Sequence, residues 1–164
     1  MVGSDTESIR QSYRPSKILA LFVGESAPKS GKFFYCGNTA LKGYMEDVMN
    51  AAGLGGNDNF LERFKSYGWY LDDLVLEPVD GLPKLERRAK CREARSSLTT
   101  RIREYHPLAI VSLLRSIEEY VEDAAIAAGS TAARYSVPFA GNGQQGRFKI
   151  AMAHILPKLP KLVA

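Results

Sequence analysis

Apolar residues recur along this chain as short continuous runs separated by stretches with helical spacing. The first run, Ile18-Leu19-Ala20-Leu21-Phe22-Val23, closes at Gly24. It is too short for a core helix and predicts a strand buried on both faces of a parallel sheet. Leu41, Met45, Val48, Met49 and Ala52 then predict a helix from a start near Asn38 or Thr39, with Gly53 placed to stop it. A short helix at 60–64 leads into a second strand at 69–76, which Glu77-Pro78 ends. Leu85, Ala89, Leu98, Ile102 and Tyr105 mark one long helix that stops at His106-Pro107. Residues 109–114 read as a third strand, and Ile117, Tyr120, Val121, Ala124 and Ala128 as the next helix, capped by Gly129. Residues 135–139 predict a fourth strand and 140–146 a glycine-rich loop. Phe148, Met152 and Ile155 form one face of a last helix, which Pro157 and Pro160 limit.

Four strands alternating with helices imply parallel pairing through right-handed crossovers, hence an α/β fold, a three-layer α/β/α sandwich with a four-stranded parallel sheet. Ligands in such sheets bind outside the carboxyl ends of the strands. The loop 24–35, the strand end 71–78 and the loop 140–147 should converge there. Residues 1–16 are polar and end in Arg14-Pro15. They read as a flexible N-terminal segment, with the domain spanning 17–164.

Composition narrows the class. The 164 residues, 45% apolar and 24% charged, suit one domain with a full core. Cys36 and Cys91 lie far apart with no CxxC or histidine-rich partner, so neither a disulfide framework nor a metal site is expected. No apolar run approaches the ~20 residues of a membrane span, and the start lacks a signal-peptide core, which leads us to expect a cytoplasmic protein. The net charge of +4 permits an anionic partner. Lys84, Arg87, Arg88, Lys90, Arg92, Arg95, Arg101 and Arg103 crowd one segment, against only Glu86 and Glu93. That segment is either a solvated helix face or a nucleic-acid footprint.

The loop after the first strand, Gly24-Glu25-Ser26-Ala27-Pro28-Lys29-Ser30-Gly31-Lys32, is not a P-loop: six residues separate its glycines and Phe33 follows Lys32. No GxGxxG follows any strand. The segment resembles the first motif of the uracil-DNA glycosylase superfamily, in the branch reading Gly-Glu-Ala-Pro-Gly and then Gly-x-Pro-Phe. Here those are Gly24-Glu25-Ser26-Ala27-Pro28 and Gly31-Lys32-Phe33-Phe34. Residues 71–78 look like that family's second strand, and 88–94 through 107–111 like the helix and strand that follow. The resemblance covers roughly 17–155, and is weak outside the first motif.

The resemblance implies a DNA glycosylase that flips a base into a pocket. Glu25 would stabilise the cationic sugar and position water, with Gly24 and Ser26 lining the base site. Phe34 would stack on the base, with Phe33 and Tyr35 as rivals. Asp72 falls where the family usually places a uracil-reading asparagine, and Asp73 stands beside it. An ionised carboxylate only accepts hydrogen bonds, so either the aspartate is protonated, or backbone groups read the base, or the base differs and presents N–H donors. The loop after the fourth strand lacks the family's histidine; Asn142 stands in for it as a donor, and Gln144, Gln145 and Arg147, with Lys29 and Lys32, would contact DNA. The iron–sulfur cysteines of the branch are missing, Leu76 standing at one ligand position, so no cofactor or metal is expected. His106 and His154 read as structural. The functions in competition are a glycosylase for uracil or another deaminated or damaged base, a nucleic-acid binder without turnover, and an enzyme or binder of free nucleosides or nucleotides.

Overall fold

The computed structural model describes residues 2–162; Met1 and the last two residues of the expected 17–164 domain lie outside them. Its sheet has four parallel strands, β1 (Ala20–Gly24), β2 (Trp69–Asp73), β3 (Ala109–Ser112) and β4 (Ala133–Ser136), in the order β2-β1-β3-β4. Ala20 pairs with Trp69 on one side and Ala109 on the other, so β1 is central. Every residue of β1, β2 and β3 is buried, as the continuous apolar runs predict.

Between β1 and β2 lie α2 (Ala40–Ala51) and α3 (Phe60–Ser66), a first helix, α1 (Val2–Ser12), preceding β1. The Thr39 hydroxyl accepts from the Lys42 amide at α2 and the Asn59 side chain accepts from the Glu62 amide at α3, each satisfying an otherwise orphaned donor. Between β2 and β3 lie α4 (Lys84–Glu93) and α5 (Arg95–Tyr105), and between β3 and β4 a 3₁₀ turn (Arg115–Ile117) and α6 (Glu118–Ala127). Helix α7 (Gln145–Ile155) follows β4. The chain crosses from β1 to β2 in one direction and from β2 through β3 to β4 in the other. Right-handed crossovers therefore put α2 and α3 on one face and α4, α5 and α6 on the other. The packing agrees: α2 meets α7 and α5 meets α6, Phe22 meets Phe64 of α3, and Tyr70, one strand position out of phase, meets Tyr105 of α5. The result is a three-layer α/β/α sandwich.

Several expectations change. The first three strands lie at 20–24, 69–73 and 109–112 rather than at 18–23, 69–76 and 109–114. The single long helix is two, broken at Ala94, where the Arg95 side chain donates to the Arg92 carbonyl and takes over from the interrupted helical ladder. The fourth strand lies at 133–136 rather than 135–139. Val137 still donates to Ser112, but Pro138 has no N–H to continue the ladder.

The largest correction concerns residues 1–16, expected to be flexible. Val2–Ser12 form a helix, α1, that docks on the carboxyl end of β2. Arg10 is 1% exposed and pairs with Asp73, Asp72 and Glu7. Tyr13 stacks on Tyr35, and Arg14 lies over the Tyr105 ring while pairing with Glu104. Because a buried cation anchors this helix in place of an apolar stripe, hydropathy alone does not reveal it. No helix among the described residues is long and apolar enough to cross a membrane.

Candidate functional site

The sheet order reverses between β1 and β3, the point at which open α/β sheets leave a crevice at their carboxyl edge. A cleft of about 970 Å³ opens there, within the range of pockets that hold small ligands. Its floor is the end of β1 and β2, Gly24, Glu25, Ser26 and Asp73; one wall is α4, and the other is the segment 113–120 after β3 with the loop after β4.

Glu25 is the first residue beyond β1. Its side chain is 14% exposed and held from the α4 side by Arg87, whose Nε donates to Oε1 at 3.1 Å and Oε2 at 3.0 Å while Nη2 reaches Oε1. This hydrogen bonding to Glu25 is the main reason the Arg87 guanidinium is pushed above its ordinary range. The Cys91 thiol lies 3.7 Å from Oε2. Burial first, and then the Glu25 charge, push that thiol up to about 11, which makes it a poor nucleophile near neutrality. The Ser26 hydroxyl accepts from the Val79 amide at 3.3 Å, tying the loop to the segment after β2.

The two aspartates of β2 part company. Asp72 is 1% exposed on the α5 face, bound by Arg101 and facing Arg10. It does not line the cleft. Asp73 points to the other face, where it lines the cleft beside Gly24 and accepts from Arg10 Nη2 at 2.6 Å. Burial pushes its carboxyl up to about 6; Arg10 opposes this and the neighbouring Asp72 adds to it.

Other expected site residues scatter. Phe34 is buried against Tyr35, Phe60 and Phe64, away from the cleft. Its rivals are engaged too: Phe33 packs under the Arg10 guanidinium, and the Tyr35 hydroxyl accepts from the Leu71 amide. Lys29 and Lys32 are exposed outside the cleft, Lys29 donating its backbone amide to Asp80 and Lys32 lying along Gly37. Asn142, in a left-handed conformation with φ 53°, and Gln144 do line the cleft, whereas Gln145 and Arg147 start α7 beyond its rim. Neither His106 nor His154 reaches it; both are exposed. Among the described residues no group of three or more His, Cys, Asp or Glu could hold a metal ion.

Sequence reasoning missed the aromatic lining. Tyr120 and Phe139 face the cleft, and Phe139 is 49% exposed. The Phe139 ring folds over Gly141, where a Cβ would stand 2.7 Å from the ring, so glycine is what lets the ring lie there. The available signal was Pro138, which should have ended the strand and left Phe139 in the loop.

The basic segment also divides. Lys84, Arg87, Arg88 and Arg92 form one face of α4 and line the cleft, joined from across it by Arg115. Lys90, Arg95 and Arg101 are paired with Glu77, Asp123 and Asp72, and Arg103 donates to the Ala127 carbonyl. Compared with protein-family models and with curated proteins, the chain matches none.

Proposed function

We propose that this protein is a DNA glycosylase that draws an altered base, uracil or another deaminated or damaged one, into the cleft and hydrolyses its N-glycosidic bond. The observation that carries the reading is the placement of the Glu25 carboxylate at the floor of a cleft that has an exposed aromatic ring on one wall and an arginine-lined helix on the other. N-glycosidic cleavage builds positive charge on the sugar, and a carboxylate fixed in place stabilises it without reorganising. Arg87 supplies the fixing. Phe139 and Tyr120 offer the faces on which an extruded base stacks, and Asn142 a side-chain amide to donate to the departing base. Lys84, Arg88 and Arg92 suit the flanking phosphates. Binding without turnover is a second reading, favoured by the same Arg87 contacts, which occupy both oxygens of Glu25.

The test is incubation with single- and double-stranded oligonucleotides carrying uracil, hypoxanthine, xanthine or 5-hydroxymethyluracil, or an altered base that keeps its amino group such as 5-hydroxycytosine or 3-methyladenine, followed by alkali. Strand breaks at the modified position, reduced by about a hundredfold or more in Glu25→Gln, are expected. DNA binding with no abasic product on any substrate would establish the second reading instead.

A further inference from the structure

Asp73 stands opposite Gly24 in the sheet register, and its two oxygens have different surroundings. Oδ2 accepts from Arg10. Oδ1 lies over Gly24, 2.7 Å from where a Cβ on that residue would stand. With no side chain at position 24, this oxygen is left at the cleft floor, where both residues are lining groups. Three backbone donors nearby are already used: the amides of Leu74, Val75 and Leu113 donate to the carbonyls of Gly24, Glu25 and Val23. A base edge reaching Oδ1 meets an acceptor.

From this geometry we infer that Asp73 sets the substrate class, its Oδ1 accepting from an exocyclic amino group so that cytosine- and adenine-like bases are preferred to their oxo counterparts uracil and hypoxanthine. The inference rests on the glycosylase reading above and narrows it to altered bases that keep an amino group. An amino N–H donates to a carboxylate, whereas a carbonyl in the same place opposes lone pair to lone pair and leaves a buried acceptor unmatched. Because Arg10 holds Oδ2, a proton on this carboxyl resides on Oδ1 and turns the acceptor into a donor. The charges facing Asp73 are Arg10 of α1, itself paired with Glu7, Asp72 beside it on β2, and Arg101 of α5. Along the cleft stand Glu25 with Arg87, and Asp80. With the carboxyl titrating at about 6, the preference for amino bases should be full at pH 8 and fade toward pH 5.

The probe is a short strand of abasic tetrahydrofuran spacers carrying one cytosine, uracil, adenine or hypoxanthine, with affinity read by fluorescence anisotropy. At pH 7.5 the wild-type protein should bind cytosine over uracil, and adenine over hypoxanthine, by tenfold or more. In Asp73→Asn, Arg10 donates to the amide oxygen and turns the NH₂ to the floor, so the order should reverse. Should that variant not fold, the wild-type pH series decides alone. Equal affinities, an oxo preference at pH 7.5 or an unchanged order in folded Asp73→Asn would overturn the assignment. Absence of binding by every strand would overturn it together with the glycosylase reading. The expected preference without base release would uphold it and overturn hydrolysis only.

Discussion

Phe34 and Phe139 show how differently one residue type is used within a single chain. The Phe34 ring is 3% exposed, its neighbours Tyr35, Phe60 and Phe64 all within 6.0 Å centroid to centroid. Truncating it opens a cavity in close-packed surroundings, so Phe34→Ala should cost about 3–5 kcal/mol in chemical denaturation. Phe139 is half-exposed and folds over Gly141. Phe139→Ala should change stability by no more than about 0.5 kcal/mol, yet weaken oligonucleotide binding by roughly 5- to 100-fold, the usual worth of one base–aromatic stack. If Phe34→Ala were neutral for stability and removed binding, the roles of the two rings would be exchanged.

At the scale of elements, α4 is the helix through which nucleic acid would be held. Its cleft-lining face presents Arg88 and Arg92 to solvent, while Arg95 and Arg103 of α5 are turned to Asp123 and to the Ala127 carbonyl. Neutralising Arg88 and Arg92 together should flatten the salt dependence of single-strand binding by about 0.7 for each phosphate that is no longer neutralised. The same change at Arg95 and Arg103 should leave it unaltered. A salt-independent affinity in the wild-type protein would remove the nucleic-acid reading. Legibility in the sequence follows burial at this scale. The strands β1 and β3 announce themselves because both faces are covered and every residue is apolar or small. The strand β4 has only one hydrogen-bonded neighbour and exposed positions, so its residues follow no apolar pattern and its ends are misread by two and three residues. Of the site, the segment 24–26, Asp73, Asn142 and Gln144 are legible because loops after strands meet at one edge of a parallel sheet. Tyr120 was not, since its position in the apolar stripe of α6 gives it a core signature. The α4–α5 break was hidden because Ala94 is a good helix former and the hydrogen bond that replaces the ladder comes from a side chain.

For the molecule as a whole, the ionic tie between α1 and β2 matters most. Arg10, Asp72 and Asp73 are buried together at the cleft floor, with Arg101 partly buried beside them, so stability and the site share one set of charges. Removing one member of such a group leaves an uncompensated charge. Arg10→Met should lower unfolding free energy by about 3–5 kcal/mol, and adding Asp73→Asn should restore part of that loss, the coupling expected of residues in direct contact. Strictly additive effects would show the tie to be incidental. The tie also orders events in time. Arg10 and its partner are separated by 63 positions, so during synthesis α1 leaves the ribosome well before the strand that will receive it. Until then it has no apolar stripe with which to hold a place. The floor of the cleft is thus finished late, by a helix that was made well before the strand it joins.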